Sequence, residues 1–246
     1  MPALPNGNLA NRRWLAGLAV LAVIVSPVAC ADGWGGSLAL SSDYVFRGLT
    51  QTDGSPSAQA DLHYQTRGGW FAGARAANVK QGMDQSTSVE LDGYLGYGQT
   101  LGDDWGGSLA LVRYAYPLDH PSRQYDYDEL VGTVSYLDRV SLTIAASPDS
   151  SIIARRGTVT NRPAFSYDLA LHQPLFFAVS ANAGVGYYDL HRLLGTGYFY
   201  WNLGLVYDFG RFQIDVSYIG TDAAAKSLFY RDTAGNRGVA SVLWRF

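Results

Sequence analysis

Cysteine is almost absent from this 246-residue sequence, in which Cys30 is the single one. A disulfide framework needs at least one pair of cysteines and a thiolate metal site needs several, so the sequence excludes both. The four histidines show no spacing typical of metal ligands. We therefore expect no metal and no other cofactor.

Long apolar runs and charge of one sign are also scarce. Beyond residue 31, no segment approaches the ~20 consecutive apolar residues that a transmembrane helix needs. Without Arg12 and Arg13 the chain keeps 16 basic and 21 acidic residues, a net charge of −5. This weakly acidic balance gives no reason to expect a nucleic-acid partner.

The first 31 residues have the features of a secretory signal peptide. Arg12 and Arg13 precede the apolar run 14–25, which is too short to span a bilayer, and Pro27 and the small-residue triplet 29–31 follow. We expect cleavage after Ala31, which leaves 32–246 as one large β domain. Lipidation of Cys30 is an alternative route, although Pro27 stands where lipoprotein signals favour leucine.

Aromatic residues and glycine are abundant: 17 Tyr, 10 Phe, 6 Trp and 28 Gly occur with a mean hydropathy of only −0.03. Apolar residues that alternate with polar ones produce such a mean. Twelve segments alternate in this way: 34–47, 57–67, 69–79, 86–99, 104–116, 125–137, 140–144, 165–172, 177–188, 199–209, 212–218 and 238–246. The pattern predicts an all-β fold, an antiparallel transmembrane β-barrel of about 12 strands.

The connections between these segments alternate in length. Short turns alternate with longer stretches, which are 48–56, 80–86, 117–124, 148–161, 190–197 and 221–237. Short periplasmic turns and long extracellular loops are typical of barrels in the outer membrane of Gram-negative bacteria.

Aromatic residues are concentrated at the segment ends, which predicts one girdle at each membrane interface. The set beside the short turns is Trp34, Trp70, Trp105, Phe177, Phe209, Phe212, Trp244 and Phe246. The set beside the long loops is Tyr44, Phe46, Tyr114, Tyr116, Tyr125, Tyr187, Tyr198 and Tyr218.

The last nine residues place Val242, Trp244 and Phe246 on one face of a strand. In a barrel, this strand closes against the first, and its outward side chains meet lipid. We therefore interpret these three residues as an assembly signal for the barrel-assembly machinery. The alternative is an edge strand of a soluble sandwich that happens to end in phenylalanine.

A family resemblance adds to this interpretation. The most specific part of one stretch, residues 41–60, is the run Asp43-Tyr44-Val45-Phe46-Arg47-Gly48-x-x-Gln51. In this stretch, together with Gly73 and residues 78–79, the chain resembles the TorF family of bacterial outer-membrane porins. Its members are of largely uncharacterised function. The resemblance implies an outer-membrane barrel that acts as a channel, and it assigns no catalytic or substrate residues.

The polar faces of the segments are expected to line the lumen. The candidate pore-lining residues are Asp43, Arg47, Asp61, His63, Arg75, Glu90, Asp92, Glu129, Asp168, His172, Asn202, Asp208 and Asp215. Acids outnumber arginines in this set, so we expect a passive channel for small hydrophilic solutes or ions with a weak preference for cations. Alternatively, these charges pair across a narrow interior and hold the barrel shut.

Two other classes of function stay open. A hydrolase would need a nucleophile beside a histidine, and Ser166, Asp168 and His172 share a face, as do Asp61 and His63. Residues on one strand are too far apart for a triad, so partners would have to come from other strands. A structural or adhesive barrel could bind lipopolysaccharide phosphates through Arg155, Arg156 and Arg162. Outer-membrane lipid and lipopolysaccharide are therefore further expected partners.

Overall fold

A computed structural model describes residues 32–80, 87–117, 125–230 and 232–246, without the side chains of residues 87 and 88. The predicted signal peptide 1–31, including Cys30, lies outside the described residues. No helix in the described part of the chain is both long and apolar enough to cross a membrane.

Twelve antiparallel strands form a closed barrel, as the alternating pattern predicts. They are β1 (Gly33–Ser41), β4 (Ser57–Gln65), β5 (Trp70–Lys80), β6 (Thr87–Leu101), β7 (Trp105–Ala115), β8 (Tyr127–Tyr136), β9 (Val140–Ala154), β10 (Gly157–Phe176), β11 (Val179–Asp189), β12 (Tyr198–Phe209), β13 (Phe212–Thr221) and β14 (Arg237–Arg245). Each of these strands pairs with its sequence neighbour in the barrel, and β14 pairs with β1 to close it.

The outer surface of the barrel is apolar. Leucine, aromatic and β-branched side chains at alternate positions point outward, and Leu40, Leu111 and Leu203 are each 60% exposed or more. A soluble protein would turn such side chains into a core, because contiguous apolar surface of this extent attracts other molecules. The outward aromatics and aliphatics therefore correspond to the lipid-facing band of a membrane barrel, and the soluble sandwich is excluded.

Strand β14 closes the barrel in the way that the terminal pattern predicts. Its register places Val242 opposite Leu40 and Trp244 opposite Leu38 on the outer face. Beyond the strand, Phe246 exchanges two backbone hydrogen bonds with Gly36, at 3.1 and 3.2 Å. Val242 and Phe246 are exposed, whereas Trp244 is half-buried.

The first predicted strand is too long, because β1 ends at Ser41 and the chain leaves the barrel wall there. A small hairpin follows, formed by β2 (Val45–Phe46) and β3 (Leu49–Thr50). Arg47 and Gly48 form its turn, both with positive φ. Alternation continues from β1 into β2, so the sequence pattern cannot separate the wall strand from this hairpin.

The predicted long loop 148–161 is also wrong. Strands β9 and β10 continue through it as a paired ribbon and turn at Arg155 and Arg156. The serines and threonines of this stretch suggest a loop in sequence, but Ile152 and Ala154 of the ribbon pack in one buried cluster with Leu193 and Phe229.

Two short helices lie in the remaining long connections. Helix α1 spans His191–Leu194 and helix α2 spans Ala223–Leu228. The carboxylate of Asp222 caps α2 by accepting a hydrogen bond from the backbone N–H of Ala225. Leu193, Ala225 and Phe229 pack with Tyr198 in one buried cluster, so these connections cover the long-loop end of the barrel.

The predicted girdle beside the short turns is confirmed, since all its members except the half-buried Trp244 are exposed. The girdle beside the long loops is mostly wrong, because its members include buried or partly buried side chains that face the interior. These are Tyr44, Phe46, Tyr114, Tyr116, Tyr125 and Tyr198. In β7 the odd-numbered leucines face outward, so Tyr114 and Tyr116 face inward by parity.

Candidate functional site

The hairpin β2–β3 lies inside the barrel. Residues 42–56, which we call the luminal loop, form hydrogen bonds with wall residues Glu90 on β6, Tyr198 on β12 and Arg237 on β14. Strands β6 and β12 lie on opposite sides of the closed barrel. A segment that touches both has to cross the lumen.

A buried ion pair joins the tip of the luminal loop to the wall. The two terminal nitrogens of Arg47 donate to the two carboxylate oxygens of Glu129 at 2.8 and 3.0 Å. Arg47 is 4% exposed and Glu129 is 2% exposed. Tyr114 donates a further hydrogen bond to Glu129 at 3.3 Å, and Tyr198 donates to the backbone carbonyl of Arg47 at 2.9 Å. The tip is therefore fixed at both its side chain and its backbone.

A second group of charges surrounds Arg75 on β5. Its guanidinium donates to Glu90 at 3.0 Å, to Asp92 at 2.8 Å and to the side-chain oxygen of Gln59 at 2.8 Å. Tyr44 of the luminal loop donates to Glu90 at 2.8 Å, and Tyr116 donates to its other oxygen at 2.7 Å. Wall and loop are thus joined by one continuous polar network.

Asp43 anchors the base of the luminal loop. One carboxylate oxygen accepts hydrogen bonds from the hydroxyls of Thr50 and Thr52, at 2.5 and 2.8 Å. The other oxygen accepts from Arg237 at the start of β14, at 2.7 Å. Asp43 therefore ties both arms of the loop to the wall beside β1.

Several bulky polar side chains lie flat against the inner wall across a glycine. Tyr200 covers Gly186 on the neighbouring strand and donates to Asp168 on the strand beyond. Tyr94 covers Gly73 in the same way and donates to Asp61 at 2.6 Å. A Cβ at either glycine would collide with the tyrosine ring. The glycines therefore create recesses that keep these rings out of the middle of the lumen.

The half of the lumen nearer the short turns contains smaller polar pairs. His63 and Asp61 are joined at 2.7 Å, and both are partly exposed. His172 is joined to Asn182 at 2.7 Å. Near the short turns, Arg245 lies 3.6 Å from Asp208. These pairs join wall residues to one another and include no residue of the luminal loop.

The structure places eleven of the thirteen candidate pore-lining residues on the wall strands. On each strand they alternate with the exposed apolar residues and so face the lumen: Asp61, His63, Arg75, Glu90, Asp92, Glu129, Asp168, His172, Asn202, Asp208 and Asp215. The predicted position of Asp43 and Arg47 on the first wall strand is wrong. Both belong to the luminal loop and reach the lumen because that loop folds inward. Whether any of these residues lines an open path stays a prediction.

Sequence reasoning missed the tyrosines that complete the site. Five tyrosines donate hydrogen bonds to the luminal carboxylates: Tyr44, Tyr94, Tyr114, Tyr116 and Tyr200. Strand parity in the sequence does place Tyr94 and Tyr200 on the polar face, and the same rule would have placed Tyr114 and Tyr116 there, since each stands opposite in parity to exposed leucines or aromatics.

The candidate catalytic residues are not assembled into a triad. Ser166 and His172 are six positions apart on β10, which separates them by ~20 Å. His172 pairs with Asn182, and Asp168 accepts from Tyr200. The described hydrogen bonds of His63 include Asp61 and no hydroxyl group. In the described part of the chain, no group of three or more His, Cys, Asp and Glu side chains could hold a metal ion.

Comparisons with known proteins agree with this architecture. A family model described as "Bacterial protein of unknown function (Gcw_chp)" matches residues 27–244. No curated protein sequence matches the chain.

Among solved structures, a KdgM porin aligns with a TM-score of 0.54 at 7% identity, covering 86% of this chain and 99% of the porin. The KdgM porin in complex with disordered oligogalacturonate aligns with a TM-score of 0.52 at 8% identity, covering 87% and 99%. Outer membrane phospholipase A from Escherichia coli gives 0.42 at 10% identity, covering 87% and 97%. At these identities the first two likenesses show a shared fold, and the third is too weak to carry an argument.

Proposed function

The chain belongs to the Gcw_chp family of bacterial proteins, and from this premise we propose that it is an outer-membrane channel for passive diffusion of small hydrophilic solutes or ions. One observation carries the proposal. A closed ring of twelve strands is apolar outside and polar inside, the arrangement by which a barrel offers a polar route through lipid.

Two likenesses support a channel more than an enzyme. The KdgM structures that share this fold are porins by name. The Asp43–Gln51 run resembles the TorF porin family, and membership of that family is part of the proposal. We propose a non-enzymatic role, because the described serine and histidine candidates are not hydrogen-bonded to each other.

The luminal loop limits the size of the solute. It crosses the half of the lumen nearer the long loops and is held there by buried ion pairs. A solute that passes it has to be small, or the loop has to move. The same ion pairs favour the second candidate function, a structural barrel whose interior is shut.

We propose a weak preference for cations. Carboxylates outnumber guanidinium groups on the inner surface and luminal loop: Asp43, Asp53, Asp61, Glu90, Asp92, Glu129, Asp168, Asp208 and Asp215 against Arg47, Arg75, Arg237 and Arg245. An excess of fixed negative charge raises the local concentration of cations in a narrow passage.

The reversal potential under a salt gradient tests this preference. The double variant Asp61→Asn and Glu90→Gln removes two luminal carboxylates and is expected to move the reversal potential towards zero. Asp128→Asn is the matched control, since Asp128 stands next to Glu129 on β8 but points to the outer face, where it pairs with Arg113. An unchanged reversal potential in the double variant would contradict the proposed filter.

We propose that the protein is located in the outer membrane of a Gram-negative bacterium. Export would use the signal peptide 1–31, and the barrel-assembly machinery would recognise β14 through Val242, Trp244 and Phe246. Arg155, Arg156 and Arg162 lie at or near the β9–β10 tip, where Arg156 and Arg162 are exposed and accessible to lipopolysaccharide phosphates. The outer apolar band would contact membrane lipid.

A further inference from the structure

The turn that carries Arg47 is unusual for its residue type. Arg47 and Gly48 are the two central residues of a tight hairpin, with φ of 49° and 78°. Such turns favour asparagine or glycine at the first position, because other side chains crowd the backbone at positive φ. Gly48 meets the requirement of its own position, and Arg47 does not. An arginine in this position is strained, so its side chain has to contribute something that asparagine could not.

The guanidinium of Arg47 is held as a bound ligand would be. Its planar fork matches both oxygens of Glu129, and its central carbon lies 4.5 Å from the ring centre of Phe46 and 4.6 Å from that of Tyr188. A carboxylate fork with aromatic faces is the environment that proteins use to recognise guanidinium groups. An ammonium ion could not match the fork or stack on the rings in this way.

Most of this environment belongs to the barrel wall. Glu129 lies on β8, Tyr114 on β7 and Tyr188 on β11, whereas Phe46 and Arg47 belong to the luminal loop. If the loop withdrew, the wall would retain the Glu129 carboxylate, a hydroxyl that donates to it and a ring face. With the loop in place Glu129 is 2% exposed, and its charge is balanced there by Arg47.

We propose that the wall residues Glu129, Tyr114 and Tyr188 form a binding site for solutes that carry a guanidinium group, such as free arginine, and that Arg47 occupies this site in the closed barrel. The inference rests on the proposed channel function and narrows its solute class. A guanidinium solute that binds the wall site excludes Arg47 from it. By mass action, such a solute favours the barrel with the loop displaced.

The variant Arg47→Gly tests the site with little disturbance of the turn, because glycine adopts positive φ without strain. Methylguanidinium is the probe, and its binding to the folded variant is measured by isothermal titration calorimetry. We expect saturable binding to Arg47→Gly. Wild-type protein should bind at least ~10-fold more weakly because its site is occupied, and so should Arg47→Gly/Glu129→Gln because the fork is lost.

Methylammonium is the matched control probe, with the same charge and no planar fork. The proposal predicts that it binds Arg47→Gly at least ~10-fold more weakly than methylguanidinium. Equal affinity for the two probes, no saturable binding, or binding that survives Glu129→Gln would each overturn the proposal. If Arg47→Gly fails to fold, Arg47→Asn provides the same test, because Asn-Gly is the favoured pair for this turn.

Wild-type protein gives a measurement that needs no variant. Methylguanidinium should increase hydrogen exchange of the backbone amides in the luminal loop, and methylammonium should not. If neither probe changes the exchange rates, methylguanidinium does not compete with Arg47 for the wall site, which would contradict the proposal. Conductance keeps the two proposals separate: binding without conductance refutes the channel and leaves the site, whereas conductance without binding refutes the site and leaves the channel.

Discussion

Tyr44 in the luminal loop donates a hydrogen bond of 2.8 Å to Glu90, which lies on β6 and is 46 positions later in the sequence. The same hydroxyl accepts from Arg75 at 3.2 Å, and the guanidinium of Arg75 lies over the Tyr44 ring. One phenol therefore connects the loop to both members of a buried ion pair on the wall.

The variant Tyr44→Phe should lower the free energy of unfolding by roughly 1.5–3 kcal/mol, because a hydrogen bond to a charged group is lost while the ring stays in place. Unfolding of the refolded barrel in urea measures the change. Tyr218→Phe is the control, since Tyr218 is exposed on the outer face. If both variants lower the free energy of unfolding equally, the hydrogen bond from Tyr44 to Glu90 does not stabilise the barrel.

Glu129→Gln should be strongly destabilising, because it leaves the buried guanidinium of Arg47 without its charged partner. Breaking a buried pair from one side costs about 3–5 kcal/mol. Removal of both groups in Arg47→Gly/Glu129→Gln should cost less than the two single changes added together. A double-mutant cycle in urea unfolding measures this coupling, and strict additivity would show that the pair is not coupled.

Gly186→Ala should displace Tyr200 from the wall, because the added methyl group would occupy the space of the ring. We expect a loss of about 1–3 kcal/mol in unfolding free energy from overpacking, with loss of the hydrogen bond to Asp168. Gly93→Ala on β6 is the control, since no atom lies within 4 Å of the added carbon. Equal stability of the two variants would contradict the recess described for Gly186.

Leu111→Arg places a charge at the middle of β7 on the outer face. In a bilayer this change should lower the free energy of unfolding by about 2–4 kcal/mol. The same change at Leu101, beside a short turn, should lower it by only about 0–1 kcal/mol. Both leucines are exposed to a similar degree, so the difference reports depth in the membrane. Unfolding from lipid vesicles measures it, and identical costs would be inconsistent with a lipid-facing band centred on the strands.

The barrel itself was predictable from the sequence. Alternation is a local signal, so it identified the twelve wall strands and the outward position of Val242 and Phe246 without any knowledge of contacts. Parity alone placed Glu90, Glu129 and Asp168 on the inside. These inferences need only the period of a strand, which does not depend on the rest of the fold.

The luminal loop was not predictable by the same reasoning. Its path depends on contacts with residues far along the chain, such as Arg47 with Glu129 and Asp43 with Arg237, and local alternation contains no information about them. The alternating residues Tyr44 and Phe46 look like a continuation of β1. Tyr44 is buried in the lumen because a polar network and other aromatic rings receive it there.

Planar-bilayer recording of the refolded 32–246 protein tests the channel most directly, with the reversal potential measured under a salt gradient. A heat-modifiable gel shift first establishes that the barrel is folded. The account predicts discrete current steps and a reversal potential that indicates a preference for cations. A membrane that stays silent in the presence of folded protein would contradict it, and would favour a barrel that the luminal loop holds shut.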